Sequence, residues 1–347
     1  MEGTTAMMVS PVATDAALAQ AGLDDKTLRE IYRCMLLSRA MDLRAWSLSR
    51  QGRAHFVITS RGHEAAEVGC AFALDRGRDY VLPYYRSLAL ALGVGMTPHE
   101  IFLGIFARAS DPSSGGRQLP MHFSHRALRI VSGSSVVSSQ IPHAAGLALA
   151  AKLSGEPIVA AAFFGEGGSS KGDFHEGLNF AAVHRLPAIF VCENNGYAIS
   201  VPQSRQMAIR DVATRAASYG MVGVTVDGND PIAVYRAMRE ARERGVAGDG
   251  PTLVEAKVYR FTPHSSDDDD RMYRPREEVA EAQARDPIPA FGRRLRELGL
   301  LDEAGERALQ EDVTAEVDAA VDSADAEPQP GAADLLTHIF ATAEDIR

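Results

Sequence analysis

Residues 165–200 read GEGGSSKGDFHEGLNFAAVHRLPAIFVCENNGYAIS, and this stretch decides the predicted fold. An apolar run, Ile158 to Phe164, leads into its glycine-rich turn, and a second apolar run, Ala188 to Cys192, lies near its end. The residues between the runs, from Asp173 onward, are typical of a helix. The stretch therefore predicts a strand-helix-strand unit with parallel strands.

Strand and helix patterns continue to alternate further along the chain, at 222–226, 231–244 and 252–259. This alternation predicts an α/β fold with a doubly wound, mostly parallel sheet flanked by helices. In such sheets, ligands bind at the carboxyl ends of the strands.

Two polar side chains follow the two strands of the 165–200 stretch. Glu166 comes directly after the first strand and Asn195 directly after the second, so both are expected at the same edge of the sheet. Carboxylate and amide oxygens suit Mg2+, which usually keeps phosphate and water among its six ligands. The turn glycines Gly165, Gly167 and Gly168 would let a phosphate approach the backbone, next to a helix N-terminus.

Other interpretations of the glycine turn remain open on the residues alone. A dinucleotide-binding turn is disfavoured because Ser170 stands where GxGxxG requires its third glycine, and because an acid would repel a bare pyrophosphate. A tight turn without a ligand is disfavoured by the added pair Asn194 and Asn195. The residues favour a diphosphate held through Mg2+.

Three further patterns are not expected to form metal sites. His63 and Glu67 belong to HEAAE, which lacks the second histidine of the zinc motif HExxH. His122 and His125 have no evident third ligand and are expected to be structural or solvent-facing. The run from Asp267 to Asp270 is typical of a solvated loop.

Outside the sheet, the sequence predicts mainly helices. An amphipathic helix is expected to begin near Asp24 and Asp25 and to run towards Gly52. The segment 261–275, FTPHSSDDDDRMYRP, is expected to be a long surface loop. Helices are predicted to follow it over 276–284, 287–298 and 303–321. A linker is expected over 323–333. We assign the chain to three parts: a flexible tail 1–22, one domain 23–325, and an extension 326–347.

Composition narrows the classes of partner. The net charge is −10, from 46 acidic and 36 basic residues of 347, and this disfavours nucleic acid as a partner. No run approaches the roughly 20 apolar residues of a membrane span. The three cysteines, Cys34, Cys70 and Cys192, form no CxxC pair, which favours a reducing cytoplasm.

Several blocks of sequence together resemble one family. The GEG turn followed by NN resembles the thiamine-diphosphate motif, with Glu in place of Asp. The other blocks are LPYYRSLALALGVG (82–95), GGRQLPMH (115–122), SSQIPHAAG (138–146), VDGNDPIAVY (226–235), GDGPTLVEAKVYRFTPHSSDDD (248–269) and RDPIPAF (285–291). From about residue 25 to 325, the chain resembles the alpha subunit of the 2-oxoacid dehydrogenase decarboxylase component, closest to the branched-chain (2-oxoisovalerate) type.

The resemblance implies a function and a fold. It implies the thiamine-diphosphate-binding fold with helical N- and C-terminal extensions, and oxidative decarboxylation of a branched-chain 2-oxoacid with acyl transfer to lipoyl groups. A pyruvate or acetoin dehydrogenase alpha subunit is the alternative within the family. A non-catalytic interaction module on a decayed cofactor fold is the alternative from another class.

The resemblance also implies ligands and partners. Glu166, Asn195 and the main-chain carbonyl of Tyr197 would hold Mg2+, and His264 would act in catalysis. The residues implied to bind the cofactor are Tyr84, Tyr85, Arg86, Ser135, Val136, Val137, Gly165, Glu166, Gly167, Gly168, Asn195, Tyr197 and His264. We can assign no glutamate for activating the aminopyrimidine ring, and the resemblance implies that a beta subunit supplies it. Two alpha and two beta chains would then work with a lipoyl acyltransferase core.

Three smaller expectations follow from the same resemblance. Phe56, Tyr85, Leu119 and Ser135 would line the substrate pocket. Ser134, Val136, Ser139 and Gln140 match a potassium site of some relatives, so the resemblance allows K+ there. Glu193 departs from animal branched-chain relatives, which have a basic residue that touches the diphosphate, so this contact must be lost or replaced.

Overall fold

A parallel β-sheet forms the centre of the protein. The computed structural model describes residues 18, 21–337 and 339–341, so the tail predicted over 1–22 lies almost entirely outside the described residues. The five strands of the sheet are β1 Tyr80–Leu82, β2 Ala160–Gly165, β3 Ala188–Asn194, β6 Val222–Asp227 and β7 Thr252–Lys257. They lie in the order β1-β2-β3-β7-β6, and all neighbouring pairs are parallel. A separate antiparallel pair is formed by β4 Tyr197–Ala198 and β5 Val201–Pro202.

Side chains alternate between two hydrophobic clusters on opposite faces of this sheet. Phe163 and Val191 belong to one cluster, whereas Phe164 and Cys192 belong to the other, and all four are buried. Strands buried on both faces are expected to be apolar without alternation, as the runs in β2 and β3 are. The predicted α/β fold with a doubly wound parallel sheet is therefore confirmed.

Eleven described helices of α type surround the sheet. They are α1 Asp25–Arg50, α2 Glu64–Ala73, α3 Leu88–Val94, α4 Pro98–Ile105, α5 Gln140–Ser154, α6 Gly172–Val183, α7 Gln203–Gln206, α8 Pro231–Val246, α9 Arg276–Gln283, α10 Pro287–Glu297 and α11 Glu303–Asp325. Short 3-10 helices span Glu166–Ser170, Val212–Tyr219, Asp270–Met272 and Ala332–Leu336. The sequence patterns did not predict α2 to α5 or β1.

The predicted N-terminal helix is confirmed. Helix α1 begins after Asp24, whose side chain accepts a 2.8 Å hydrogen bond from the N–H of Thr27, as expected for an N-cap. Its buried face includes Ile31 and Met35 and contributes to the same cluster as Phe163. The helix therefore packs on the main domain.

The C-terminal part returns to the body of the domain. Helix α11 runs to Asp325, three residues into the segment predicted to be a linker from 323. Beyond it, the carbonyl of Pro328 accepts a hydrogen bond from Ala109 N–H, and Arg117 donates to the carbonyl of Asp334. The described part of the extension is therefore held against the 108–117 segment.

The expectation of a surface loop over 261–275 is wrong for part of that segment. Thr262, Ser265 and Arg274 are buried, whereas Asp269 and Arg271 remain largely solvent-accessible. The Arg274 guanidinium donates to the main-chain carbonyls of Arg260 and Thr262, which fixes both ends of the loop. The polar composition predicted that this segment is exposed to solvent. The structure differs because the buried main-chain carbonyls need hydrogen-bond donors, and the side chain of Arg274 provides them.

Two further findings concern the whole of the described chain. Among the described residues, no helix is long and apolar enough to cross a membrane. Cys34, Cys70 and Cys192 are all free thiols.

Candidate active site

The ends of β2 and β3 bring Glu166 and Asn195 together. Gly165 is the register partner of Glu193, so the two strands end side by side. The N–H of Asn195 donates a 3.1 Å hydrogen bond to Oε2 of Glu166. The convergence expected from the sequence therefore takes place at the carboxyl edge of the sheet.

Glu166 offers a buried oxygen that has no hydrogen-bond partner. The residue is only 1% exposed, and its Oε1 is unsatisfied within the described part of the chain. Burial raises the pKa of this carboxyl, while the hydrogen bond from Asn195 and the charges of Arg260 and Arg86 oppose the rise. A carboxylate in this environment is costly unless a cation compensates it, so the donor set suits a metal ion.

The two asparagines of the NN pair face different surroundings. Asn195 is buried, and its Oδ1 accepts a 3.1 Å hydrogen bond from the N–H of Tyr197. Asn194 instead donates from Nδ2 to Glu255 at 2.6 Å, on the other side of β3. Gly196 follows with φ +83°, a left-handed conformation that glycine adopts without strain. Only Asn195 thus shares the surroundings of Glu166.

The glycine turn after β2 is tightly packed against its neighbours. A Cβ on Gly168 would lie 2.5 Å from Oγ of Ser138, which donates a 2.8 Å hydrogen bond to the Gly168 carbonyl. A Cβ on Gly167 would lie 2.8 Å from Cβ of Ala198. Side chains would therefore not fit at these two positions.

A cationic group of side chains lies close to this edge of the sheet. Arg86 donates to the carbonyl of Thr59 at 2.6 Å, and Arg260 donates to the carbonyl of Ile199 at 3.0 Å. Both guanidinium groups approach Nδ1 of His264 to 3.4 Å. Arg86 and Arg260 are at most 2% exposed, and neither has a described carboxylate within ion-pair distance. Two buried positive charges without an acidic partner suit an anion such as a diphosphate.

Burial and the same two arginines favour the uncharged form of His264. Burial, followed by the charges of Arg86 and Arg260, lowers the pKa of His264 to about 4. Burial and the charge of Arg86 also lower the pKa of Arg260 to about 10. Guanidinium groups can only donate hydrogen bonds, so Nδ1 of His264 accepts and Nε2 carries the proton.

Tyr84 is buried, whereas the neighbouring Tyr85 is half-buried. The hydroxyl of Tyr84 donates to Oε2 of Glu193 at 3.1 Å, below the surface, and burial raises its pKa well above the usual range. The ring of Tyr85 makes an edge contact with His264 at 5.7 Å between ring centres. Tyr85, rather than the Tyr84 hydroxyl, thus lies beside the cationic group.

The remaining predicted pocket residues are more exposed. Leu119 and Val136 are 52% and 62% exposed, Ser135 is also exposed, and Phe56 is half-buried. The Oγ of Ser135 lies 2.6 Å from Nε2 of His122. His122, expected to be structural or solvent-facing, is buried, and its Nδ1 lies 3.0 Å from the carbonyls of Leu119 and Pro120.

Several oxygen atoms of polar groups lie in the loop that precedes α5 and at the first residue of that helix. Ser134 Oγ accepts from the N–H of Val136, and Ser139 Oγ donates to the carbonyl of Val136 at 2.8 Å. Gln140 is buried, and its Oε1 has no described partner. These are the four residues that the resemblance matched to a potassium site.

Sequence reasoning missed Arg260 and the partners of Glu193. Arg260 follows β7 by three residues, so the rule that ligands bind at strand ends was a signal that could have singled it out. Glu193 is 1% exposed and lies 2.6 Å from Nδ1 of His63, while Glu67 lies in the same cluster. Burial, then the charge of Glu193, raises the pKa of Glu67 well above its usual range. No local signal in the sequence joins residues that are 130 positions apart.

Comparison with known proteins identifies the family. The model of the dehydrogenase E1 component family matches residues 32–333. The chain belongs to the dehydrogenase E1 component family. This E1 component chain is 52% identical over 320 residues to the 2-oxoisovalerate dehydrogenase subunit alpha of Bacillus subtilis, an alignment covering 92% of this chain and 97% of the relative.

Relatives with lower identity are named as alpha subunits of the pyruvate dehydrogenase E1 component. The E1 component chain is 40% identical to the pyruvate dehydrogenase E1 component subunit alpha of Bacillus subtilis, over 95% of this chain and 85% of that protein. It is 41% identical to the protein of the same name from Staphylococcus aureus, over 87% and 79% of the two chains. The predicted family is therefore confirmed, and membership implies thiamine diphosphate as the cofactor.

Proposed function

We propose that this chain is the alpha subunit of a 2-oxoacid dehydrogenase that decarboxylates branched-chain substrates of the 2-oxoisovalerate type. The observation that carries the proposal is the 52% identity, over nearly the whole of both chains, to a 2-oxoisovalerate dehydrogenase subunit alpha. The pyruvate dehydrogenase relatives stand at 40–41%. The substrate preference therefore follows the more similar relative.

Glu166, Asn195 and the carbonyl of Tyr197 would hold the Mg2+ that accompanies the diphosphate. The unsatisfied, buried Oε1 of Glu166 supports this role, as does the contact of Asn195 with the same carboxylate. All three ligands are oxygens, which Mg2+ prefers. Gly165, Gly167 and Gly168 would let phosphate oxygens approach the turn, and side chains would not fit at Gly167 and Gly168.

Arg86, Arg260 and His264 would bind the diphosphate next to the cation. The arginines bring two charges that form no ion pair with a described carboxylate, and neutral His264 can donate from Nε2 to an anionic oxygen. Arg260 would replace the basic residue that some relatives have where Glu193 stands. When bound, thiamine diphosphate supplies the electron sink for decarboxylation. His264, beside Tyr85, would then contact the reacting end of the cofactor.

A partner chain would cover the exposed residues at the mouth of the site. Ser135, Val136 and Val137 would meet the aminopyrimidine ring, and Phe56, Tyr85, Leu119 and Ser135 would surround the acyl chain of the substrate. Large apolar side chains such as Leu119 and Val136 are rarely left this exposed next to a small-molecule site. We assign their cover to the beta subunit, in an assembly of two alpha and two beta chains that delivers acyl groups to a lipoyl acyltransferase.

A potassium ion would order the loop before α5. The supporting observations are the hydrogen bonds that link Ser134 and Ser139 to Val136, and the buried, unsatisfied Oε1 of Gln140. A replacement of NaCl by KCl in the buffer should raise the melting temperature of the alpha-beta complex. An equal melting temperature in both salts would reject the ion.

Reconstitution of the two subunits tests the proposed activity. We expect the alpha-beta complex, with Mg2+ and thiamine diphosphate, to turn over 2-oxoisovalerate faster than pyruvate, and alpha alone to be inactive. Faster turnover of pyruvate or consumption of acetoin would favour the alternative dehydrogenases. If the complex assembled but bound neither Mg2+ nor cofactor, a non-catalytic module would be the better description.

A further inference from the structure

A buried polar cluster lies directly beneath Asn195 and has no role in the function proposed above. It consists of His63, Glu67, Tyr84 and Glu193, whose exposure ranges from 0% to 4%. His63 precedes α2, Glu67 lies in its first turn, and Glu193 is the last residue but one of β3. Because side chains alternate along a strand, Glu193 points to the face opposite that of Asn194. His63 and Glu67, at the start of α2, lie on this face.

The hydrogen bonds of the cluster fix the tautomer of His63. Oε2 of Glu193 lies 2.6 Å from Nδ1 of His63 and also accepts from the hydroxyl of Tyr84 at 3.1 Å. Oδ1 of Asn195 accepts from the N–H of Tyr197, so Nδ2 of the same amide donates to Nε2 of His63, and the proton of His63 is on Nδ1, facing Glu193. The other ring nitrogen, Nε2, is then an acceptor.

This acceptor in turn orients the amide of Asn195. Nε2 of His63 lies 3.4 Å from Nδ2 of Asn195, while Oδ1 of the same amide accepts from the N–H of Tyr197 at 3.1 Å. If the amide turned over, its oxygen would face the lone pair of His63 and its NH2 would face the N–H of Tyr197. Both contacts would then be repulsive, so the cluster selects one of two otherwise similar orientations.

We propose that His63, held by Glu193, is a positioning residue that keeps the oxygen of Asn195 turned towards the cation site. The proposal rests on the proposed function, in which Oδ1 of Asn195 is a ligand of Mg2+. Residues that orient metal ligands typically contribute about 10–100-fold to metal affinity. The same proposal gives a role to two features that the sequence left without one: the histidine of HEAAE and the acid at position 193.

The test measures Mg2+ affinity of the alpha-beta complex by calorimetry in the presence of thiamine diphosphate. We expect His63→Leu, which removes the acceptor, to weaken Mg2+ binding about 10–100-fold. High Mg2+ should recover much of the lost turnover. His63→Gln offers both an acceptor and a donor, so it should restore most of the affinity. His125→Leu removes a histidine outside the cluster and serves as the matched control.

A double variant separates positioning from general damage. In Asn195→Asp both side-chain oxygens can accept, so orientation no longer matters, and His63→Leu should cause no further loss of Mg2+ affinity in that background. Equal losses in both backgrounds would overturn the proposal. If His63→Leu did not fold, Glu193→Met would replace it, because it removes the acceptor that holds the proton on Nδ1; unchanged Mg2+ affinity in that variant would also overturn the proposal.

Two further outcomes are distinguishable. If Glu166→Gln and Asn195→Ala left Mg2+ affinity unchanged, the proposed cation site itself would be wrong. If they weakened binding while His63→Leu did not, only the positioning role would fail.

Ligand atoms of His63, Glu67 and Glu193 lie within 4.8 Å of one another, so metal analysis of the purified complex is included. One equivalent of zinc that is lost in His63→Leu would make the cluster a metal site and overturn the positioning role.

Discussion

The main-chain N–H of Asn195 donates a 3.1 Å hydrogen bond to Oε2 of Glu166, and this contact joins the ends of two neighbouring strands across 29 residues of sequence. The bond uses one carboxylate oxygen and leaves Oε1 buried and unsatisfied. The protein thereby holds Glu166 in place independently of any cation. A preorganised ligand loses little conformational freedom when the ion binds.

Substitution of Glu166 should separate function from stability. We expect Glu166→Gln to weaken Mg2+-dependent binding of thiamine diphosphate by about 30-fold or more, since removing one partner of a buried charge pair costs about 2–5 kcal/mol. The cofactor-free chain should be at least as stable as wild type, because burial already disfavours the charged form of this carboxyl. Calorimetry and thermal unfolding measure the two effects, with the exposed Glu176→Gln as control. Unchanged cofactor binding would remove Glu166 from the site.

Removal of Arg260 should affect both the diphosphate and His264. A hydrogen bond to a charged group contributes about 1.5–3 kcal/mol, so Arg260→Gln should weaken cofactor binding by roughly 10–100-fold, and Arg260→Lys should weaken it less. The charge of Arg260 also helps to lower the pKa of His264, which should therefore rise from about 4 in the Gln variant. Titration of the imidazole by NMR measures the rise. A pKa that stayed unchanged would mean that burial and Arg86 alone determine it.

The sequence predicted those parts of the molecule that depend on local patterns. Apolar runs and the cap at Asp24 were sufficient for α1, β2 and β3, and the rule for strand ends brought Glu166 and Asn195 to one edge. Contacts that depend on which face of a strand a residue occupies were not predicted. Glu193 could be placed beneath the site only once His63, just before α2, was known to contact the end of β3, and no periodicity indicates such a long-range contact. The inward turn of Arg274 likewise depends on carbonyls that the fold brings together.

The glycine turn offers a test of steric coupling. Gly168→Ala should destabilise the chain by about 1–3 kcal/mol, because the new Cβ would lie 2.5 Å from Oγ of Ser138. Ser138 itself has φ +72°, a conformation that glycine adopts readily, so Ser138→Gly removes the clash without backbone strain, at the cost of the hydrogen bond to the Gly168 carbonyl. In that background the penalty of Gly168→Ala should shrink markedly. Urea unfolding of the four chains measures the coupling, and strictly additive penalties would show that the clash is relieved elsewhere.

Asp42 should make the stability of the chain depend on pH. This residue of α1 is fully buried, and its Oδ2 accepts from the N–H of Ser60 at 2.8 Å, while Oδ1 has no described partner. Burial, followed by the charge of Glu64, raises the pKa of Asp42 from its usual value of 3.8 to about 7. Between these two values the folded chain holds a proton that the unfolded chain has released. Stability contributed by this proton is therefore complete below about pH 4 and declines as pH rises to about 7.

The variant Asp42→Asn should remove this decline. Its amide oxygen can still accept from Ser60, and its side chain carries no charge at any pH. Between pH 5 and pH 8 the free energy of unfolding should fall less than in wild type, by a difference on the order of 2–3 kcal/mol. The exposed Asp249→Asn is the control and should follow the wild-type profile. Parallel profiles for wild type and Asp42→Asn would mean that Asp42 is ionised in the folded chain throughout this range, so that its neighbours compensate its burial.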